Sequence, residues 1–179
     1  MKSASYLNKN INKKIILKIC KFKDNFWSYG LKNQKKWLDM NTSKYDIHNL
    51  IYDKSANICG YTLLRNKYFE KKNEPNKIKY YLLDTVLLDK KKRNIKYSNM
   101  LMKMNNEKII KKNKISLLFC NNQMVNFYKF YKWKLLPKKN YITDMDEKLN
   151  CMIYNDQYNI VNFKKDFLKI KLKNNDQNK

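Results

Sequence analysis

The chain has few of the residues that interrupt regular structure, with 2 glycines and 2 prolines in 179 residues. Collagen-like and Pro/Gly-rich low-complexity classes are excluded on that ground. Histidine occurs once, at His48, and the 4 cysteines (Cys20, Cys59, Cys120 and Cys151) stand far apart with no Cys-x-x-Cys pair. This spacing matches no zinc motif, so no metal is expected, and it predicts four buried thiols in a reducing, cytoplasmic setting. No apolar run approaches the roughly 20 residues of a membrane-spanning helix, so no membrane partner is expected. Arginine is scarce as well: of 40 basic residues, all but Arg65 and Arg93 are lysine.

What the chain does have is lysine, asparagine, isoleucine and tyrosine in excess, with a formal charge of +25. Such a charge invites a nucleic-acid reading, because basic side chains neutralise phosphates and release counterions. Readers of phosphate and base edges favour the planar fork of arginine, however, which is nearly missing. The joint excess fits a composition drifting under an A/T-biased genome, with the lysines spread over a solvated surface. The resulting field still concentrates anionic ligands and makes their binding salt-sensitive. Hydrophobic residues amount to 43%, enough for one sizeable core in a chain of this length.

Periodicity and turn signals suggest a flexible polar stretch at 1–12, a single domain over 13–155 and a basic extension over 156–179. Lys14 to Phe22 reads as a first strand, Asn25 to Met40 as one or two short helices, and Ile47 to Tyr52 as a strand. Ile58 to Phe69 reads as its hairpin partner, with Gly60 marking a bulge or a close packing point. Lys71 to Lys77 reads as a loop, Lys79 to Leu88 as a long apolar strand and Asn99 to Lys112 as a helix. Ile115 to Cys120 has the length of a buried strand. Gln123 to Tyr131 reads as a short helix with Asn122 as its N-cap, and Trp133–Leu136 with Leu149–Tyr154 as a closing pair of strands. Phe163, Phe167 and Ile170 are spaced as a helical stripe. This order predicts an α/β (α+β) domain, a mixed sheet with helices on both faces and one strand–helix–strand crossover after Asn99.

The most informative stretch runs from Tyr80 to Trp133: strand, basic loop, helix, strand, then a helix bearing Asn126-Phe127-Tyr128. A strand leading to a loop at a helix N-terminus is a way to hold a phosphate. Asp84 is the single acid in the apolar strand, and alternation places it on one face with Val86 and Leu88. An acid there could take the proton of an attacking ammonium, directly or through water.

This order resembles the acyl-CoA-binding half of the GNAT superfamily of N-acyltransferases, over roughly Ile47 to Tyr154. In pattern it is similar to bacterial GNAT-domain proteins and to the aminoglycoside 2′-N-acetyltransferase branch, where an acid stands at the spacing of Asp84. The loop Asp89-Lys90-Lys91-Lys92-Arg93-Asn94-Ile95-Lys96-Tyr97-Ser98 stands where the family has Arg/Gln-x-x-Gly-x-Gly/Ala. The resemblance implies that Arg93, Asn94, Ile95, Lys96, Tyr97 and Ser98 cradle the coenzyme pyrophosphate, with Lys96 and Ser98 in the small-residue places. It implies that backbone groups of Val86, Leu87 and Leu88 hold the pantetheine arm and polarise the thioester carbonyl, and that Asn122 contributes to the cofactor site. Asn126-Phe127-Tyr128-Lys129-Phe130-Tyr131-Lys132-Trp133 is similar to Phe-Tyr-x-x-x-Gly-Phe/Trp, with Lys132 in place of glycine and Tyr128 as the acid that protonates the departing thiolate.

The implied activity is an N-acetyltransferase that uses acetyl-CoA as cosubstrate and a primary amine, small-molecule or peptide, as acceptor, by direct attack in a ternary complex. Asp144, Asp146 and Glu147 form the one local acidic cluster that could receive an amine. Two readings compete with it: a catalytically inactive GNAT-like module that binds CoA or a partner, and a basic nucleic-acid-binding protein. Whether the protein is a monomer or a homodimer is left open by the sequence.

Overall fold

The computed structural model describes residues 2–72, 74–156, 161–162 and 165–172. By contacts the chain divides into two compact units, each built from two segments: Met1–Arg65 with Asp84–Glu107, and Asn66–Leu83 with Lys108–Lys179. Hydrogen bonding gives the strand order β1-β2-β3-β4-β5-β8-β6, with β7 and β9 off this path. The strands are mostly antiparallel, and among the described residues four α-helices accompany them.

In the first unit the polar stretch near the start of the chain includes a strand. Lys2–Leu7 (β1) pairs antiparallel with Ile47–Tyr52 (β2), from Lys2↔Tyr52 to Leu7↔Ile47. The segment that reads as a first strand is a helix, α1 (Lys13–Asp24). Its β-branched run suggests a strand, but Ile15, Ile16, Ile19 and Cys20 recur at helical spacing, and Asn12 caps the start by accepting from the Ile15 N–H at 2.9 Å. A second helix, α2 (Leu31–Asn41), follows Gly30, which takes φ 81°. Its inner face is Leu38 and Gln34, while Tyr29 and Met40 are exposed.

Residues 58–71 form β3 (Ile58–Lys71), whose register with β2 shifts between Ile51 and Tyr52. Gly60 lies at this irregularity, and a Cβ there would meet Leu88 Cδ2 at 3.0 Å and Ile51 Cδ1 at 3.3 Å, so those side-chain ends pack closely against its backbone. Helices cover both faces of the strands in this unit. On one side α1 and α2 bury Ile19, Leu38, Leu50, Tyr61, Leu63 and Leu87 in a common core. On the other, Leu101 of α3 (Ile95–Lys111) packs on Ile51 and Cys59.

In the second unit β3 runs on to Lys71 and β4 begins at Glu74 (Glu74–Leu88), so the segment that reads as a loop is strand at Lys71 and from Glu74 to Lys77. Lys72, Glu74, Asn76 and Lys77 are exposed, so the hairpin's polar side chains hide the alternation. β4 pairs parallel with β5 (Ser116–Cys120) through Tyr81↔Ser116 and Leu82↔Leu117, the predicted crossover arrangement. β5 pairs antiparallel with β8 (Asn150–Tyr154), and β8 with β6 (Lys134–Leu135). After β5 comes α4 (Asn122–Phe130). The strands β7 (Tyr141–Thr143) and β9 (Leu168–Ile170) pair with each other in parallel, and β9 also pairs antiparallel with β3. The predicted helical stripe therefore fails at Ile170, which lies in a strand, while Phe163 lies outside the described residues. The core here gathers Phe69, Tyr80, Leu117, Ile153, Leu168 and Ile170.

Candidate functional site

The phosphate-sized loop is shorter than its sequence pattern suggests. Lys90–Lys92 forms one turn of 3-10 helix, and α3 begins at Ile95, so Lys96, Tyr97 and Ser98 belong to the first helical turns. Asp89 shapes the entry: its N–H donates to the Cys59 carbonyl at 2.9 Å and its carboxylate accepts from the Lys91 N–H at 2.8 Å. Lys92 is tied to Asp53 at 2.7 Å. Asn94 accepts from the Tyr97 N–H at 3.2 Å through its side chain, and its carbonyl accepts the Ser98 hydroxyl at 3.0 Å.

Among the described residues, the N–H groups of Asn94, Ile95 and Lys96 donate to nothing within the chain. They are the orphan donors of a helix N-terminus and carry its positive end. No residue from Asp89 to Ser98 has a positive φ. The backbone therefore does not demand glycine at Lys96 or Ser98, and the two departures from the family pattern meet no dihedral obstacle. The Arg93 guanidinium lies 5.9 Å from the Phe26 ring centroid, and its Nε donates to the Leu88 carbonyl at 3.4 Å.

Val86 to Leu88 lie past the end of the β4–β5 ladder, which stops at Leu82. Val86 and Leu88 pack with Leu101, Met100 and Met104 on the α3 side. Asp84 does not share that face. Its Oδ2 accepts from Arg65 Nη1 at 2.5 Å and its Oδ1 from the Thr85 hydroxyl at 3.2 Å. The Arg65 guanidinium is 5.7 Å from the ring of Trp37, on α2. Alternation along β4 is thus interrupted between Asp84 and Val86, and Asp84 belongs to the α1/α2 face. A carboxylate has about four lone-pair positions, so two contacts leave others open, and the side chain is 19% exposed.

The surroundings of Asp84 hold residues that sequence reasoning misses. Lys23 on α1 is 3% exposed and Arg65 4% exposed. Burial, the largest influence, pulls Lys23 down to about 8, while Asp84 opposes it. Arg65 stands out in the sequence only as one of two arginines; Lys23 has no signal among so many lysines. His48, on β2, is fully buried between Tyr61 Oη at 3.0 Å and Asn8 Oδ1 at 3.1 Å. Burial pushes it down to about 4, so it is a neutral structural residue.

In the second unit, α4 is capped by Asn121, whose side chain accepts from the Met124 N–H at 3.2 Å. Asn122 is not the cap; its Oδ1 accepts from Asn150 Nδ2 at 2.8 Å. Tyr128 packs edge-on against Phe127 and Trp133. The residue is 7% exposed, and its hydroxyl has no hydrogen-bond partner among the described residues. Burial pushes this phenol well above its usual range, with the nearby Cys120 adding to the shift, so it stays protonated at every working pH. The helix ends in a Schellman turn: the Trp133 N–H donates to the Tyr128 carbonyl at 3.1 Å and the Lys132 N–H to the Lys129 carbonyl at 2.9 Å. Lys132 sits at the left-handed position with φ 67°, which explains why the family pattern has glycine there.

The acidic trio is largely used for loop structure. Asp144 accepts from the Leu172 N–H at 2.8 Å and Asp146 from the Lys148 N–H at 2.9 Å, while the Glu147 carbonyl accepts from Lys138. Asp146 and Glu147 line a cavity of about 270 Å³ with Tyr141 and Leu149. Groups of three or more metal-ligating side chains are absent among the described residues, and no helix is long and apolar enough to cross a membrane.

No family model and no curated relative matches the chain. Solved structures do. An acyl-CoA N-acyltransferase from Pseudomonas aeruginosa is 9% identical, with a TM-score of 0.61 over 86% of this chain and 97% of its own. The GNAT family N-acetyltransferase YhbS of Escherichia coli, solved in complex with CoA, is 9% identical, with a TM-score of 0.64 over 95% of this chain and 90% of its own. Escherichia coli ElaA is 12% identical, with a TM-score of 0.59 over 85% and 97%. At these identities the likeness is one of architecture: the chain has the fold of the GNAT acyl-CoA N-acyltransferases.

Proposed function

We propose that the protein is an acyl-CoA-dependent N-acyltransferase, with acetyl-CoA as donor and a primary amine as acceptor. The observation that carries this reading is the set of unpaired N–H groups at Asn94, Ile95 and Lys96, at the start of α3 directly after β4. Such donors suit a pyrophosphate, and Arg93 and Lys96 add positive charge to them. The residues present therefore fit the coenzyme, and acetyl-CoA when bound supplies an activated thioester acyl group.

The chain's own groups divide the remaining work. Backbone N–H groups in Val86 to Leu88 polarise the thioester carbonyl and stabilise the charge that builds on its oxygen. Asp84, or a water on its open lone pairs, accepts the proton that an amine of pKa near 10 must lose to become a nucleophile. Tyr128, held protonated by burial, donates a hydrogen bond to the departing sulfur. A thiolate is a weaker base than this tyrosine's phenolate, so the sulfur's proton comes in the end from the amine. Four thiols are buried, and burial raises each of them, which disfavours a covalent acyl-enzyme.

The test is a screen of primary amines and amino-terminal peptides for thiol release from acetyl-CoA, with the acylated product identified by mass. Transfer to some class of amine supports the reading. Thiol release that no amine accelerates, across small-molecule and peptide acceptors, would sink it.

A further inference from the structure

The face of the first unit that carries Asp84 holds charges that do not balance. Lys23 and Arg65 are both more than nine-tenths buried, and they share a single carboxylate, Asp84, bound by Arg65 Nη1 at 2.5 Å. Buried lysine and arginine are almost always paired. Here the Lys23 ammonium rests 3.8 Å from the Trp37 ring centroid with no hydrogen bond to a described residue. Arg65 Nε and Nη2 are buried and have no acceptor.

Asp46, which also raises neighbouring groups, is committed to the N–H and hydroxyl of Ser43 at 2.8 and 2.7 Å. The Tyr61 hydroxyl is engaged with His48 at 3.0 Å. Among the described residues, nothing in reach neutralises the second cation.

The free donors of Arg65 are its Nε and Nη2, the two that point side by side along one edge of the guanidinium. That edge is the one that takes both oxygens of a carboxylate or phosphate at once. With Nη1 held by Asp84, the guanidinium cannot turn away, so the open edge is fixed in place.

We infer that Lys23 and Arg65 form an anion subsite beside Asp84, and that the amine acceptor carries a carboxylate or phosphate of its own. This rests on the acyl-transfer reading, because Asp84 is the group that meets the acceptor in it. In the resulting arrangement Asp84 faces the acceptor's ammonium, while the arginine edge and the lysine take its anionic group. An amino acid, a small peptide or an amino-phosphate fits this demand. A polyamine or an amine-rich sugar does not, and the overall charge of +25 repels it as well.

The test uses matched pairs that differ only in the anionic group: L-phenylalanine with phenethylamine, L-glutamate with 4-aminobutanoate, and O-phosphoethanolamine with ethanolamine. Each is titrated against the full chain by calorimetry and assayed by thiol release from acetyl-CoA at fixed ionic strength. The expected result is a preference of at least about tenfold for the more anionic member of one or more pairs, the size of one charge-assisted hydrogen bond. Lys23→Met, and separately Arg65→Lys, should bring that preference to within about threefold while leaving acetyl-CoA affinity unchanged.

Equal or better binding of the less anionic member in every pair overturns the inference even if acetyl-CoA binds and turns over, which leaves the acyl-transfer reading standing. Absence of acetyl-CoA binding overturns that reading instead, and the calorimetric comparison of the pairs still decides the subsite. Should either variant fail to fold, the wild-type comparison alone decides between the two outcomes. A preference that survives in both folded variants assigns the anion elsewhere and overturns the residue assignment.

Discussion

Arg65 Nη1 donates to Asp84 Oδ2 across 2.5 Å, and with Lys23 nearby this pair contains the only carboxylate that offsets two buried cations among the described residues. Removing one partner of a buried pair leaves an uncompensated charge. Asp84→Asn is therefore expected to lower stability by about 3 kcal/mol in urea unfolding. Replacing both partners, as Asp84→Leu with Arg65→Met, should cost less than the single change. A single change that costs under about 1 kcal/mol would show that water already screens the pair.

Tyr128 separates chemistry from stability in a different way. Its hydroxyl bonds to no described residue, so Tyr128→Phe removes no internal contact, and unfolding should shift by less than about 0.5 kcal/mol. The turnover number with acetyl-CoA and an accepted amine should fall about 100-fold, the lower range for loss of a positioned donor. Unchanged turnover would reduce Tyr128 to a core residue.

Lys132 holds φ 67° at the Schellman position after α4, a conformation that costs a side-chain-bearing residue about 1–2 kcal/mol. Lys132→Gly should raise stability by about 1 kcal/mol, although glycine is usually destabilising. Denaturant midpoints for the two proteins settle the sign; a loss of stability would mean that the lysine makes compensating contacts.

How far the fold is legible in the sequence differs by element. β2, β3, β5, β8 and the α3 crossover can be read from apolar runs, because each buries a continuous stripe, while the exposed β6 is marked by the buried Trp133 and Leu136 that flank it. α1 reads wrongly as a strand because Ile15, Ile16 and Ile19 favour strands intrinsically while their spacing is helical, and tertiary burial decides for the helix. β1 escapes notice because Lys2, Ser3 and Ser5 break up its apolar residues, although Tyr6 packs on the core. The turn end of the β3–β4 hairpin escapes notice because Lys72, Glu74, Asn76 and Lys77 are polar and exposed. In the candidate site the loop and Tyr128 are visible as motif positions. Asp84 is visible as an acid in an apolar strand, but its face is not, since the break in alternation leaves no trace in residue type. Lys23 is hidden by composition, one lysine among dozens.

His48 supplies a pH signature. Its pKa is lowered to about 4 in the folded chain by burial, against 6.5 when unfolded. Between those values the unfolded state binds more protons, so stability falls as pH drops from 6.5 towards 4. The full loss is on the order of 3 kcal/mol. Urea unfolding across this range should show the slope, and His48→Asn should flatten it by about one proton. An identical slope in the variant would place the acid sensitivity on other groups.

The N–H groups that open α3, with Arg93 and Lys96, are the proposed seat of an acyl-CoA, and the functional reading stands or falls with them. Calorimetric titration with acetyl-CoA at moderate and raised salt tests this most directly, with inorganic pyrophosphate and a DNA oligomer as anion controls. A saturable acetyl-CoA site that survives added salt, while the controls bind loosely and are lost, is the expected result. Equal, salt-erased binding of all three anions would contradict it, leaving only the nonspecific attraction of a highly basic chain.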